Sequence, residues 1–170
     1  DALWIAPTKK EQAEVAGYTV VDLPTVMATH LTEIVRGHMN ELVGRQETAN
    51  LVENLKKTYP KVVEELIPDR LPLGSVVKVL QNLLKEHISI RDLLTIFETL
   101  ADEAMKSKDV EILTESVRKA LSRSITAKYT TEQGNVPVIS LSPHIEESLA
   151  NSLLQTEHGV QLVMDPRTAQ

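Results

Sequence analysis

Two histidine–glutamate pairs are the residues whose types and spacing come closest to catalytic or metal chemistry. His30-x-x-Glu33 and His38-x-x-Glu41 each place an imidazole and a carboxylate three residues apart, a spacing at which two side chains on one helix can share a metal ion. The two pairs begin eight residues apart, which is about 12 Å along a helix axis and too far for one mononuclear ion. We therefore expect His38 to be a core or packing histidine and the carboxylates to be solvated. A helical metal-dependent enzyme that uses these four residues is the alternative.

Other catalytic patterns are missing from the sequence. The six glycines are never closer than seven residues, so the sequence contains neither a dinucleotide-binding fingerprint nor a phosphate-binding loop. The chain has no cysteine, which excludes thiolate nucleophiles, thiolate metal sites and disulfides. Ser142-Pro143-His144 places a serine beside a histidine only as the start of a helix. We expect no catalytic residue, no metal and no cofactor, and hence a non-enzymatic function.

The charge balance argues against a nucleic-acid partner. Lys and Arg number 18 and Asp and Glu 24, a net charge of −6, with a pI near 5.4. Residues 76–105 have the outline of a helix-turn-helix, but the second helix carries one arginine against four acidic residues and would repel phosphates. We expect no nucleic-acid binding. An acidic regulatory scaffold with this helix packing is a further alternative.

Composition predicts a mostly helical chain with a substantial core. Hydrophobic residues make up 42% of the chain and aromatic residues only 3%, so the core must be built from Leu, Ile, Val and Ala. The sequence has no apolar run of membrane-spanning length and no secretory leader, which favours a soluble, cytoplasmic chain. The chain begins at Asp1 and ends shortly after Asp165-Pro166, a helix start, and we expect it to be a fragment.

The first third of the chain predicts a β-α-β-α segment. Ala2–Ile5 and Tyr18–Val21 have strand composition, and a helix from Thr8 to Ala16 lies between them with Gly17 as its C-terminal stop. Asp22 and Pro24 start a long helix that extends to Val43. Its apolar stripe is expected to be buried and consists of Met27, Leu31, Ile34, Val35, His38 and Leu42.

The rest of the chain predicts a compact helical domain followed by the start of an α/β domain. Short helices are predicted within residues 47–67, 73–87, 90–105 and 109–123, and the apolar composition of 73–87 makes it the buried helix. A hairpin is predicted from strands at 125–131 and 136–141, then a helix from Ser142 to about Gln155 and a strand at 159–164.

Ten blocks of the sequence carry a family resemblance, and they are residues 16–22, 25–33, 42–48, 59–66, 78–84, 89–93, 98–102, 113–115, 117–121 and 155–159. They resemble the cytoplasmic domain of the FHIPEP family, the export-gate proteins of the bacterial flagellum and of type III secretion. The resemblance covers essentially the whole chain, and two blocks, GYTVVD at 17–22 and GRQET at 44–48, are more similar to the flagellar branch than to the virulence-injectisome branch.

The resemblance implies an architecture and a place in the cell. Family members have an integral inner-membrane region followed by a cytoplasmic portion of several subdomains, so this chain is expected at the cytoplasmic face of the membrane. Residues 1–31 resemble the closing segment of an incomplete α/β subdomain, 32–123 a helical subdomain, and 124–170 the start of a truncated C-terminal α/β subdomain.

The resemblance also implies partners and two groups of site residues. Family members form a homo-oligomeric ring, bind chaperone-bound export substrates and contact other export-apparatus components. A family threonine in the chaperone cleft aligns with Thr19, and Tyr18 and Val21 join this site by adjacency. Arg45, Glu47 and Arg91 are expected at the ring interface, since charged groups near helix ends can set the register between subunits.

Overall fold

The computed structural model describes residues 3–156 and 159–163 and is mainly helical there. A 3₁₀ turn at Pro7–Lys9 precedes the helices, which are α1 Lys10–Val15, α2 Leu23–Gly37, α3 Arg45–Thr58, α4 Pro60–Leu66, α5 Leu73–Lys85, α6 Leu93–Glu103, α7 Val110–Ala120, α8 Ser122–Tyr129 and α9 Pro143–Asn151. Two antiparallel strands follow, β1 Leu153–Thr156 and β2 Gly159–Leu162, with Leu153 opposite Leu162. The predicted fold class, predominantly α with small α/β parts, is confirmed.

The hydrophobic core lies among helices α3 to α7. Helix α5 packs against α3 and α7, and α6 packs against α4 and α7, so each long helix has neighbours on its apolar side. The prediction that α5 is the buried helix is confirmed by its six buried side chains, Val76, Val77, Val79, Leu80, Leu83 and Leu84. From α6 the core receives Ile96, Phe97, Leu100 and Ala101. Burial of these aliphatic groups supplies the main favourable free energy of folding for this region.

Short polar side chains define where several helices begin. The Asp109 carboxylate accepts hydrogen bonds from the backbone N–H groups of Glu111 at 2.8 Å and Ile112 at 3.2 Å. The Asp92 carboxylate accepts one from the Thr95 N–H at 3.1 Å, and the Ser142 hydroxyl one from the Ile145 N–H at 3.4 Å. These bonds satisfy N–H groups that have no partner within the helix, and for this reason the start of a helix is readable from sequence.

Two predicted strands in the N-terminal segment are wrong for the residues described. Leu3–Ile5 and Tyr18–Val21 have no regular secondary structure, while the helix between them is confirmed as α1 and the turn before it. A strand is defined by hydrogen bonds to a partner strand, and neither segment has one within residues 3–156 and 159–163. β-Propensity at these positions therefore does not by itself produce a strand.

Helix α2 begins as predicted but ends earlier and buries nothing. It stops at Gly37 instead of Val43, and residues 38–42 form hydrogen-bonded turns. The predicted apolar stripe is exposed, with Met27 and Leu31 each 62% accessible. The expectation of a core histidine is also wrong, because the His38 side chain is 60% exposed and its Nδ1 lies 2.9 Å from Glu41 Oε1.

The predicted hairpin after Arg123 is wrong in both strands. Residues 122–129 form helix α8, with Ile125 packed against the core, and residues 136–141 have no regular structure. Helix α8 follows directly on α7 through the buried Leu121, so packing overrides the β-propensity of the segment. Pro137 lacks the backbone N–H that a central strand position needs.

The later predictions agree with the structure in part. The helix starting at Ser142 is α9, but it ends at Asn151 instead of about Gln155, and Leu153–Thr156 form strand β1, which was not predicted. The strand predicted at 159–164 corresponds to β2, and its last residue, Met164, lies outside the described residues. The expected helix start at Asp165-Pro166 and the first residue of the predicted strand at Ala2 lie outside the described residues. No helix in the described part of the chain is both long and apolar enough to cross a membrane.

Two buried threonines allow a matched prediction about stability. The Thr48 hydroxyl is buried with no hydrogen-bond partner, whereas the Thr114 hydroxyl donates to the Val110 carbonyl at 2.7 Å and accepts from Asn82 Nδ2 at 3.3 Å. We expect Thr48→Val to raise the free energy of unfolding by about 1 kcal/mol, because valine keeps the shape and removes an unpaired polar group. Thr114→Val is expected to lower it by about 1 kcal/mol, since it leaves Asn82 with one partner fewer.

Urea denaturation of both variants checks the pair. A shift of the same sign in both would contradict the assignment of one unpaired and one paired hydroxyl. Because both changes are Thr→Val within helices, differences in helix propensity cancel between the two variants.

Candidate functional site

The predicted docking residues lie in the connector between α1 and α2, residues 16–22. Its middle part, Tyr18–Val21, is here called the docking segment. Helix α1 ends in a Schellman motif, in which the Tyr18 N–H donates to the Ala13 carbonyl at 3.1 Å and the Gly17 N–H to the Glu14 carbonyl at 3.0 Å. Gly17 takes the left-handed conformation that this motif requires, with φ of +86°. The sequence predicted this stop, and the motif determines the direction in which the docking segment leaves α1.

The other end of the docking segment is held by the cap of α2. The Asp22 carboxylate accepts a hydrogen bond from the Thr25 N–H at 2.8 Å. Hydrogen bonding from Thr25, first through its side chain and then through its backbone, holds the pKa of the Asp22 carboxyl below its ordinary value of 3.8. Asp22 is therefore charged at neutral pH, and its negative charge interacts favourably with the partial positive charge at the N-terminus of α2. Both ends of the docking segment are thus positioned by local hydrogen bonds.

The three predicted docking side chains are accessible. Tyr18 is 71% exposed and Val21 55% exposed, and Thr19 between them is exposed as well. Exposed apolar side chains of α2 continue from this segment, namely Leu23, Val26, Met27 and Leu31. Contiguous exposed apolar surface of this kind is typical of protein–protein contact regions, and the docking segment lies at its edge.

Two of the predicted ring residues, Arg45 and Glu47, lie in the first turn of α3, and the third, Arg91, lies just before α6. Arg45 is the first residue of α3 and is exposed, and Arg91 is exposed just before the start of α6. The Glu47 carboxylate turns back along α3 and accepts a hydrogen bond from the Gly44 N–H at 3.0 Å, so it also caps that helix. The structure does not bring the three together into one cluster.

Arg45 lies on an open groove that sequence reasoning missed. The groove has a volume of about 580 Å³ and forms between the start of α3 and the N-terminal half of α5. Lys78 and Gln81 of α5 line it together with Pro72, Gly74 and Ser75. Lys78 interrupts the apolar run from Val76 to Leu80, but only packing of α5 against α3 places it on the same groove as Arg45.

The groups of the metal-site alternative pair locally instead of converging. Glu33 Oε1 bonds Arg36 Nη1 at 2.6 Å, and Glu41 bonds His38. Within the part of the chain that the structure describes, no three His, Asp or Glu side chains form a group that could hold a metal ion.

For the helix-turn-helix alternative, the solvent side of α6 carries Glu98 and Asp102, so its exposed charges would oppose phosphate contacts.

The sequence is similar to a well-defined group of bacterial proteins. The profile of the FHIPEP family matches residues 1–170. The flagellar biosynthesis protein FlhA of Bacillus subtilis is 46% identical over 165 residues, which cover 97% of this chain and 24% of the relative. The protein of the same name in Escherichia coli is 44% identical over 153 residues, or 90% of this chain and 22% of the relative. The chain thus spans about a quarter of the length of these relatives.

Solved structures of related proteins have the same fold. The Chlamydia pneumoniae CdsV protein, in a complex with CdsO, superimposes with a TM-score of 0.83 at 32% identity, covering 97% of this chain and 48% of that one. A nonameric SctV-C from enteropathogenic E. coli superimposes with a TM-score of 0.76 at 37% identity, covering 95% of this chain and 49% of that one. The mainly helical architecture is therefore shared with the corresponding half of these chains.

Proposed function

Since this chain belongs to the FHIPEP family, we propose that it is part of the cytoplasmic portion of a flagellar type III export gate at the bacterial inner membrane. In that position it binds chaperone-bound export substrates and assembles with further copies into a ring. The observation that carries the proposal is the identity with flagellar biosynthesis proteins over nearly the whole chain. Docking and assembly require contact surfaces and no catalytic step, so we propose a non-enzymatic role, without nucleic acid.

Descriptions of similar structures support the two kinds of partner. One of them is described as nonameric, which supports self-association into a ring. Another is described as a complex of CdsV with CdsO, which supports binding to other components of an export apparatus. We propose contacts of both kinds for this chain.

The proposal divides the chain into three functional segments. Residues 1–31 contribute the docking segment and close an α/β subdomain, residues 32–123 form the helical subdomain that contacts neighbouring copies, and residues 124–170 begin a C-terminal α/β subdomain. The concentration of buried residues between Val63 and Leu121 supports the middle segment as a folding unit. The proposed boundary at residue 31 falls within α2, which has no buried side chain.

The docking residues have the chemistry of a contact surface. Tyr18 offers a large apolar ring with a hydroxyl at its tip, a combination enriched where protein interfaces gain most of their affinity. Thr19 is a small neighbour beside that ring, and Val21 continues the apolar surface toward Leu23 of α2. We propose that this segment contacts the chaperone of the chaperone–substrate complex.

The proposed ring residues are charged groups at helix starts. Arg45 and Arg91 are exposed, and Glu47 combines its cap of α3 with a position on the same first turn as Arg45. Charged groups placed in this way select the orientation and register of a neighbouring subunit. Charge reversal by Arg45→Glu in the full-length protein tests this role through sedimentation velocity. We expect weaker ring assembly, and assembly at wild-type strength would count against the assignment.

Replacement of Thr19 by methionine tests the docking role. In the full-length protein, we expect Thr19→Met to weaken binding of a flagellar chaperone–substrate complex at least about tenfold, because a longer side chain at the centre of the docking segment blocks close packing. Titration calorimetry measures the affinity directly. Folding should be unchanged, since Thr19 is exposed and belongs to no helix or strand.

Thr58→Met is the matched control. Thr58 is the exposed last residue of α3, and the same substitution there is expected to leave the affinity unchanged. Equal affinities of Thr19→Met and wild-type protein would count against the docking site. One firmly bound metal ion per purified chain would instead favour the alternative in which the His30, Glu33, His38 and Glu41 set carries out metal-dependent chemistry.

A further inference from the structure

A small pocket lies where the turn after α5 meets α8, and it shares no lining residue with the docking segment or with the groove at Arg45. Its volume is about 150 Å³. The floor is apolar, because Ile88 is buried and Ile125 packs against the hydrophobic core. Ser89 and Ser124 also line the pocket, and three exposed side chains form its rim, namely His87, Lys128 and Tyr129. An apolar floor with a polar rim is the arrangement found at the centres of protein interfaces.

The turn after α5 places His87 in a backbone conformation that favours glycine. The Ile88 N–H donates to the Leu83 carbonyl and the His87 N–H to the Leu84 carbonyl, both at 2.9 Å, which is a Schellman motif. His87 has a φ of +58° and is the one non-glycine residue with positive φ in residues 3–156 and 159–163. Glycine would adopt this conformation without the steric cost of a Cβ, and strained positions of this kind are concentrated at functional sites. The turn alone therefore does not explain a histidine at this position.

Lys128 is held in place at the rim of the pocket. Its ammonium donates a hydrogen bond to the His87 carbonyl at 2.8 Å and lies 5.3 Å from the centre of the Tyr129 ring. An ammonium has three N–H donors, so further donors remain available to a carboxylate at the pocket mouth. An exposed cation alone does not define a site. Lys128 differs because its position is fixed beside an apolar pocket, which lowers the entropy cost of binding.

The charge around the pocket favours an acidic partner. The described lining contains no acidic residue, and residues 116–131 contain four basic residues and no acidic one. The Glu86 carboxylate, next to His87 in the sequence, is already held by the Arg118 guanidinium at 2.7 and 2.9 Å. A carboxylate that approached Lys128 would therefore meet a basic surface.

The size of the pocket identifies the kind of occupant. Sites for small molecules usually have volumes of about 300–1,000 Å³. A pocket of about 150 Å³ is smaller than these sites and suits one large apolar side chain of a protein segment. Such single anchors, seated in a pocket with an apolar floor, contribute much of the affinity of protein interfaces.

We propose that this pocket binds a segment of a partner protein in which one large apolar side chain is flanked by acidic residues. The apolar side chain contacts Ile88 and Ile125, and a flanking carboxylate accepts a hydrogen bond from Lys128. The His87 imidazole contacts the segment at the rim. This inference goes beyond the proposed function and does not depend on it, since it uses neither the docking segment nor the ring residues.

Fluorescence anisotropy of labelled synthetic peptides tests the chemistry of the occupant. The peptide GSDELEDSG is expected to bind the protein with a Kd below about 1 mM. GSDEAEDSG lacks the apolar anchor and GSKKLKKSG lacks the acidic flanks, so each is expected to bind at least about fivefold more weakly. Absence of binding by the first peptide, or equal binding of all three, would overturn the proposal.

Two variants place the binding at the pocket. Ser89→Phe is expected to fill the pocket and Lys128→Gln to remove its cation, and each should weaken binding of GSDELEDSG at least about fivefold. Ser122→Phe and Lys119→Gln are the matched controls, because they change exposed residues outside the lining, and both are expected to bind like the wild-type protein. Circular dichroism confirms that every variant is folded. Test variants that bind as tightly as their controls would overturn the proposed site.

His87→Gly separates a binding role of this residue from a structural one. Glycine relieves the cost of the positive φ, so we expect an unchanged or higher melting temperature. Loss of the imidazole at the rim is expected to weaken binding of GSDELEDSG at least about threefold. Unchanged peptide affinity, at any melting temperature, would overturn the role of His87 in the site.

Sedimentation velocity of the full-length variants distinguishes a partner protein from a second copy of this chain. Ser89→Phe and Lys128→Gln are expected to self-associate like the wild-type protein. Loss of self-association in both variants but in neither control would assign the pocket to a contact between copies and overturn the proposal. Failure of the docking prediction for Thr19 would leave the pocket unaffected, because the peptide measurements involve neither a chaperone nor a ring.

Discussion

Replacement of Phe97 by alanine is expected to lower the free energy of unfolding by about 3–5 kcal/mol, the largest effect of any single change considered. Phe97 is the one phenylalanine of the chain. Its side chain is fully buried on α6, within a core otherwise built from aliphatic groups of α4, α5 and α7. Alanine would remove the ring's apolar burial and leave a cavity that several helices would have to close together.

Urea denaturation monitored by circular dichroism measures this loss. Phe97→Leu keeps most of the volume and is expected to lose less than half as much stability. Met105→Ala is the surface control, because Met105 is 66% exposed just after α6, and it should change stability by less than about 0.5 kcal/mol. A Phe97→Ala variant as stable as Met105→Ala would contradict the assignment of α6 to the core.

Replacement of Arg70 by methionine is expected to lower the free energy of unfolding by about 2–3 kcal/mol. The Arg70 guanidinium donates to the Ala101 carbonyl at 2.6 Å and pairs with Glu65 at 2.7 Å, with its side chain only 27% exposed. The Ala101 carbonyl lies in the last turn of α6, where carbonyls have no partner within the helix and a cation is favourable. Methionine keeps the apolar stem and leaves this buried carbonyl unpaired.

Glu65→Gln separates the two interactions of Arg70. It removes only the charge of the half-exposed carboxylate, and we expect a loss below about 1 kcal/mol. The loss of stability in Arg70→Lys should lie between the losses in Arg70→Met and Glu65→Gln, because an ammonium cannot donate to Ala101 and Glu65 in the same forked geometry. If Arg70→Met and Glu65→Gln lose equal stability, the hydrogen bond to Ala101 contributes nothing and the expectation is wrong.

Features encoded over a few residues could be predicted from sequence. The starts of α2, α7 and α9 were readable because Asp22, Asp109 and Ser142 accept hydrogen bonds from N–H groups two or three residues later. The end of α1 was readable because the Schellman motif needs a left-handed residue and Gly17 supplies it.

Features that depend on a distant partner could not be predicted in the same way. The apolar stripe of α2 predicted burial, yet periodicity states only which side is apolar and not whether another element covers it. Residues 122–129 have strand-like composition and still form a helix, since Ile125 reaches the core only as a continuation of α7. The prediction of a core position for His38 was wrong for the same reason, because the sequence does not show whether another element covers that face.

The two candidate sites differ in the same way, because the local structure of one follows from nearby residues and the other depends on packing between helices. The docking role of Tyr18–Val21 is predicted from resemblance alone, and the local shape of this segment follows from Gly17 and Asp22, which flank it. The groove at Arg45 required the structure, because Arg45 and Lys78 are 33 positions apart and meet only where α3 packs against α5. Nothing in the spacing of two such residues predicts a shared surface.

The sequence by itself determined that this chain is a mainly helical protein without cysteine chemistry, with a buried α5 and helix boundaries at named capping residues. Those properties depend on residue type and on contacts within one helical turn, which a linear pattern contains. Only the tertiary structure decided which apolar faces are covered, which β-like segments lack a strand partner, and which charges share a groove. Those outcomes depend on contacts between residues far apart in the chain. At each such position, the free energy of these contacts exceeds the local preference for helix or strand.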